Sequence, residues 1–400
     1  MEKPAESIDS AAASLPLRQI QLRSFLSYGP DSEPLELRGL NVLIGPNGSG
    51  KSNLIEAISL LRATAGDLRK VVQRGGGVTS WIWKGDPEGA ASIEALLGYP
   101  PGGQPLRHGL SFRAQGQSFV LEDESIENEK PYPGNAEPFF YYRYQRGRPV
   151  LNVAEGKRQL QRESVEHDAS ILSQRKDPDT YPEITFLSRG YEQIRIYREW
   201  VFGRDAVFRS PQQADMREVP LEEDFSNLGL FLNQLRLVPA AKEKLLLHLR
   251  ELYDGIDDFE INVKGGFVQV FFQEGDYFIP ATRLSDGTLR YLCLLAILCD
   301  PEPPPLVCIE EPELGLHPDV LPKLVDLMVE VSQRTQLIVT THSDIFVDAL
   351  TETPEAVLVC EKHQGRTEVR RLDPENLSKW LESYRLGELW TRGELGGTRW

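Results

Sequence analysis

Cysteine is scarce in this chain of 400 residues: four stand at 293, 299, 308 and 360, in apolar contexts and without the paired spacing of a metal site. They read as buried, reduced thiols rather than a disulfide framework. Long hydrophobic runs are missing too. The longest, Tyr291 to Cys299, falls far short of the roughly 20 residues that cross a bilayer. No charged-then-apolar segment opens the chain, so no membrane partner is expected and the cytoplasm is the expected location. Positive charge is in deficit, with 44 Lys and Arg against 60 Asp and Glu for a net charge of −16. That balance excludes a protein sheathed in nucleic acid, since phosphate binding draws on Lys and Arg, but it leaves room for a local basic groove. Composition is otherwise ordinary, and the length suits one large or two medium domains.

Against these absences stands Asn41 to Ser52, NVLIGPNGSGKS: a short apolar strand, a glycine-rich turn, then a helix start. Gly45 to Ser52 matches G-x-x-x-x-G-K-S at every fixed position. Glycines at 45, 48 and 50 let the backbone curl, so that N–H groups from Gly45, Asn47, Gly48, Ser49 and Gly50 point inward at a phosphate while the helix N-terminus adds its positive end. Lys51 supplies a point charge for the β- and γ-phosphates, the Ser52 hydroxyl is placed to ligate Mg²⁺, and Asn53 follows in the same turn. Leu54, Ile55, Ile58 and Leu61 keep one apolar helical face after the motif, which separates it from a glycine-rich turn of no function.

Residues 1–16 lack periodicity and read as a flexible tail. Residues 17–160 read as strands, with the phosphate-loop segment followed by a meander at Ala91 to Leu97, Leu110 to Arg113, Ser118 to Leu121 and Phe139 to Tyr144. Arg23 and Phe25 are candidate contacts for a nucleotide base or ordinary strand and turn residues. The run Arg143, Arg146, Arg148, Lys157, Arg158 and Arg162 is a local basic excess beside aromatics, either a nucleic-acid track or a charged strand edge. Residues 161–258 read as a helical insertion, with helical spacing at Phe186 to Trp200, Leu228 to Leu235 and Leu245 to Leu252. Strands resume over 259–372, and residues 373–400 form a helical, aromatic tail ending in Trp400 that either caps a core or docks a partner.

Three further stretches carry chemistry. Ser285 is a natural N-cap before the apolar helix Leu289 to Leu298, and Gly287 lets backbone approach a ligand. Leu306 to Ile309 is an apolar strand ending on Glu310-Glu311, where Glu310 would hold Mg²⁺ and Glu311 would orient and deprotonate a water; an acidic surface turn is the alternative. Gln336 to Thr340 is a second such strand, ending on His342 one helix later in β-α-β order; that histidine is a donor to the γ-phosphate or a structural residue.

Taken together these residues resemble the ATP-binding-cassette (ABC) superfamily in its RecF/SMC/OLD-like branch. GPNGSGKS resembles its Walker A, LSDGT its signature, IEEPELGLHP its Walker B with the D-loop, and TTHSD its switch histidine; SILSQRKDP matches the Q-loop position and points to Gln174 as a metal ligand. Two motifs depart from the usual pattern: Glu310 stands for the first Walker B aspartate, and LSDGT for LSGGQ, which fits the SMC/RecF side rather than a transporter subunit. The resemblance implies an α/β fold, an ABC-type ATPase head with a mixed sheet core, flanking helices, an antiparallel β subdomain and a helical insertion. It implies ATP and Mg²⁺ as cofactors and a homodimer, or a higher homo-oligomer, in which Ser285 and Gly287 of one copy face the nucleotide on the partner's Lys51. OLD proteins add a Toprim nuclease; after His342 the chain offers Glu361 but no D-x-D, so a separate effector is expected, with a nuclease in DNA repair or anti-phage defence as the first reading. A RecF-like DNA-binding clamp and a nucleotide-gated interaction module without a DNA role are the alternatives.

Overall fold

The computed structural model describes residues 16–99, 103–145, 147–153, 156–159, 165, 166, 168–201, 203 and 206–397. The expected tail over 1–16 therefore lies almost entirely outside the described residues, as do Arg146, Arg162 and Trp400 and the side chains of Lys157 and Arg158. The chain divides into two compact units, one of Met1–Ile194, Leu358–Leu372 and Leu395–Trp400, the other of Arg195–Val357 and Asp373–Glu394.

The first unit carries an antiparallel sheet of eight strands in the order Leu35–Glu36, Leu17–Arg23, Ala91–Leu97, Leu106–Gln115, Ser118–Asn128, Phe140–Gln145, Arg148–Val153, Gly156–Gln159. Burial alternates along its central strands, as in Ala91–Leu97, where Ala91, Ile93, Ala95 and Leu97 point to the core. That period of two turns one face of the sheet to the core and leaves the other half-exposed. The phosphate-loop strand Leu40–Ile44 is buried along its whole length and lies beside Val357–His363, which forms a hairpin with Arg366–Arg371. Helix Lys51–Thr64 follows the loop and packs against Ile171–Gln174 and Pro182–Glu192.

In the second unit Arg195–Tyr197, Leu306–Glu310 and Gln336–Thr340 run parallel. The last two are buried almost throughout around the apolar stretches Leu306–Ile309 and Leu337–Val339, as strands covered on both faces are. Helix Leu321–Val331 makes the crossover between them, with Leu321, Leu324, Val325, Leu327, Met328 and Val331 buried at helical spacing. Helix Asp286–Leu298 is buried over Leu289–Leu298. A separate antiparallel sheet joins Gln212–Gln213, Phe267–Glu274, Asp258–Lys264 and Tyr277–Pro280. Leu386, Leu389 and Trp390 bury the helix Leu386–Thr391 against Asp344–Asp348, while Trp380 stays exposed. The expected α/β head with mixed sheets and flanking helices is the observed class.

One stretch departs from its expected periodicity. Phe186 to Trp200 does not continue as helix: the helix ends at Glu192, and Arg195–Tyr197 is a strand pairing with Val307–Ile309. Ile194 and Ile196 both fit an apolar helical stripe and a buried edge strand. Three ladder residues and the Ile196 N–H donated to Glu223 Oε1 (2.7 Å) settle it.

Candidate functional site

In the first unit the phosphate loop is braced from below by residues remote in sequence. Gly45, Gly48 and Gly50 have φ of +143°, +77° and +102°. For Gly45 and Gly50 the need is also steric. A Cβ at Gly45 would lie 2.2 Å from the Cys360 carbonyl oxygen, and one at Gly50 would lie 2.2 Å from Thr367 Oγ1. Thr367 donates to the Ser49 carbonyl (2.8 Å) and shares a hydrogen bond with Ser27 (2.6 Å). Asn53 donates to Ser27 Oγ (2.6 Å), and the Tyr28 hydroxyl donates to the Gly50 carbonyl (3.3 Å). Asn47, Gly48 and Ser52 are exposed, whereas Ser49, Gly50 and Lys51 are buried.

Lys51 Nζ donates to the carbonyls of Gly45 (2.7 Å) and Pro46 (3.0 Å), so the ammonium sits inside the curl of the loop. Beside it, burial outweighs the pull of Lys51 and pushes the Cys360 thiol up to about 12, which keeps that neighbour neutral. Ser49 Oγ is buried without a hydrogen-bond partner. The orphaned Ser49 hydroxyl beside an ammonium lodged in the curl of the loop fits an anionic ligand. Gln174 ends the short helix Ile171–Gln174; its amide donates to Ala169 O (3.0 Å) and accepts from Glu166 N (3.1 Å), folding back on its own turn. Buried Glu124 fixes that turn by accepting from Ser170 Oγ and Ile171 N, and pairs with buried His108 (3.3 Å). Phe25 is wholly buried against Trp81 and Phe112, so it belongs to the core and is not a base contact. Arg143 pairs with Glu127 (3.3 Å) and Glu137 (3.8 Å), which spends much of its charge within the sheet.

In the second unit Glu311 and His342 meet at the C-terminal ends of neighbouring parallel strands, with Nε2 3.5 Å from Oε1. Glu311 holds a left-handed φ of +46°. That conformation costs a non-glycine residue on the order of 1–2 kcal/mol. The surroundings impose it: the Glu311 N–H donates to Thr340 O (3.0 Å) and its carbonyl accepts from Arg290 Nη2 (2.8 Å). The Arg290 guanidinium lies 4.5 Å over the Trp200 ring, and Trp200 donates to the Glu310 carbonyl (2.8 Å). Burial lowers the Arg290 pKa to about 10 against the opposing pull of Glu313 and Glu311, leaving the cation intact near neutrality. Glu313 Oε1 accepts from the His342 N–H (2.7 Å) while Oε2 is buried without a partner. Burial raises the Glu313 pKa.

Trp200, Arg290 and Glu313 were missed by motif reading. The signal for Arg290 was present, as the single charge within the apolar run LRYLCLLAIL. Ser285 caps its helix by accepting from the Thr288 N–H (3.1 Å) and is exposed. A Cβ on Gly287 would lie 2.9 Å from the Gly315 carbonyl oxygen, which ties the signature turn to the segment after the acidic pair. Asp286 is held by Arg209, whose hydrogen bond lowers its pKa. Among the described residues no group of three or more His, Cys, Asp or Glu could hold a metal ion.

Residues 40–348 match the family described as "AAA domain, putative AbiEii toxin, Type IV TA system". No curated protein matches the chain. Among solved structures, the Smc head bound to the C-winged helix domain of ScpA is 16% identical, with a TM-score of 0.59 over 91% of this chain and 99% of that one. The Smc head with an extended coiled coil bound to the C-terminal domain of ScpA, from Pyrococcus furiosus, is 14% identical at a TM-score of 0.57, covering 92% of this chain and 98% of that one. The Smc head with a coiled coil and joint from Pyrococcus yayanosii is 14% identical at 0.55, covering 92% and 99%. At such identities the likeness shows the fold, and the family match adds the sequence. The chain belongs to this AAA-domain family, and its fold is that of the SMC head domains.

Proposed function

We propose that this protein binds and hydrolyses ATP as a switch that dimerises around ATP and Mg²⁺ and thereby regulates a separate effector, a nuclease in DNA repair or anti-phage defence. The observation that carries the hydrolysis reading is the Glu311–His342 pair, a carboxylate and an imidazole 3.5 Å apart at the ends of parallel strands. Glu311 takes the proton of the attacking water, and His342 keeps the carboxylate oriented and donates toward the γ-phosphate. Lys51 exchanges the carbonyls of Gly45 and Pro46 for β- and γ-phosphate oxygens, and the N–H groups of Gly45, Asn47, Gly48, Ser49 and Gly50 surround the phosphates. Ser52, Glu310 and Gln174 are the proposed ligands of Mg²⁺, which when bound neutralises the phosphate charge; Gln174 would first leave its present bonds to Ala169 and Glu166. In the dimer Ser285 and Gly287 complete the pocket around the partner's Lys51. The family description, which names a toxin of a Type IV TA system, favours a role in defence. The pairing of Arg143 with Glu127 and Glu137 favours effector gating over a stand-alone DNA clamp.

The test is Mg²⁺-dependent ATP turnover beside ATP affinity. Lys51→Ala should lose binding, whereas Glu311→Gln should bind normally and turn over about 10²-fold or more slowly, as removal of a general base predicts. Near-normal turnover in Glu311→Gln would take the base role away from that residue.

A further inference from the structure

Glu361 and the glycine pair Gly396-Gly397 have no part in the nucleotide reading. The first unit brings them together beside the phosphate loop. Gly397 donates its N–H to Glu361 Oε1 (2.9 Å), and Arg370 donates to the carbonyl of the buried Leu395 (2.8 Å). Both glycines are left-handed, with φ of +75° and +62°. A Cβ on Gly396 would lie 3.0 Å from Glu361 Oε1. One on Gly397 would lie 2.9 Å from Val359 Cγ1 and 3.4 Å from the Cα of Gly45. Gly45 in turn sits on the Cys360 carbonyl, where a Cβ would come within 2.2 Å. The first glycine of the phosphate loop is thus enclosed between the strand Val357–His363 and the turn that Glu361 holds.

We propose that Glu361 is a positioning residue for the phosphate loop: by fixing the Leu395–Gly397 segment against Gly45 it keeps the loop in its phosphate-ready curl. A loop with three left-handed glycines has wide freedom when unbraced, and each conformer it loses on binding costs affinity. A carboxylate accepting from a backbone N–H is a strong tether of the kind needed. The segment is also fitted to the place, because each glycine has both a left-handed φ and a neighbour closer than a normal Cβ contact on at least one side. The affinity half of the proposal rests on the reading of this loop as a triphosphate site.

Two measurements separate the two. Hydrogen–deuterium exchange over residues 44–50 in nucleotide-free protein reads the bracing, and titration with a fluorescent ATP analogue plus Mg²⁺ reads its consequence. In Glu361→Ala, loop exchange should speed up and affinity weaken by about tenfold, the effect of losing one hydrogen bond to a charged group. Glu361→Gln keeps an acceptor and should stay within about threefold of wild type. Gly397→Ala, which retains the carboxylate but pushes the turn off Val359 and Gly45, should mimic Glu361→Ala and serves where that variant fails to fold. Unchanged loop exchange and affinity in both Glu361→Ala and Gly397→Ala overturn the proposal. If the wild type binds no nucleotide while loop exchange still rises in Glu361→Ala, the triphosphate reading fails and the positioning role stands.

Discussion

Gly48→Ala and Gly50→Ala look alike in the motif but should differ sharply in cost. Both residues are left-handed, so each alanine incurs about 1–2 kcal/mol of backbone strain. At Gly48 nothing lies within 4 Å of the new Cβ. At Gly50 the Cβ would meet Thr367 Oγ1 at 2.2 Å, Thr367 Cγ2 at 2.7 Å and Ser27 Oγ at 2.8 Å. Thr367 must therefore rotate away and give up its bonds to the Ser49 carbonyl and to Ser27. At about 1 kcal/mol for each bond, Gly50→Ala should cost about 3–4 kcal/mol and Gly48→Ala about 1–2. Urea unfolding of both variants, and of Gly50→Ala in a Thr367→Ala background, measures the difference. With Thr367 already truncated, the added cost of Gly50→Ala should shrink to the backbone strain and the 2.8 Å contact with Ser27 Oγ, a coupling expected of residues in contact. Equal costs at 48 and 50, or no coupling to Thr367, would refute the bracing of the loop by that residue.

Two further variants probe the second unit. Arg290→Met keeps an apolar stem over Trp200 but deletes the donor to the Glu311 carbonyl; it should lower thermal stability by about 2 kcal/mol and slow turnover far more than it weakens ATP binding, which kinetics and titration together would show. Glu313 concerns pH. Because burial raises its pKa, the unfolded chain gives up this proton more readily than the folded one, so stability falls as pH climbs from the ordinary glutamate value of 4.5 through the raised one. Glu313→Gln, which can still accept from His342 N–H, should remove that fall, and the melting temperatures of variant and wild type should diverge in the variant's favour as pH climbs above 4.5. Parallel curves for the two proteins would contradict a buried, charge-averse Glu313.

What the sequence discloses here follows the range of each constraint. Gly45 to Ser52 was readable because strand, turn and helix start are adjacent, and each fixed residue answers a local need. The strands Leu306–Glu310 and Gln336–Thr340 and the helix Leu321–Val331 were equally plain, since a fully apolar strand and a 3.6-residue stripe leave little choice. Thr367, Ser27 and Tyr28 were invisible as supports of the loop: the hydrogen bond from Thr367 to Ser49 spans 318 positions, and nothing local marks it. Phe25 was ambiguous for the opposite reason, because an aromatic after a strand suits either a base or a core until packing against Trp81 and Phe112 decides. Arg195–Tyr197 failed because three residues of strand carry less pattern than the apolar run that contains them.

We propose that ATP is enclosed between two copies, each completing the other's pocket. Light scattering of Glu311→Gln protein with ATP, ADP or no nucleotide measures it directly. Enclosure requires a dimer of twice 45.1 kDa with ATP alone, lost again in the Ser285→Arg, Glu311→Gln double variant. A monomer under all three conditions, from protein shown by titration to be loaded with ATP, would contradict it.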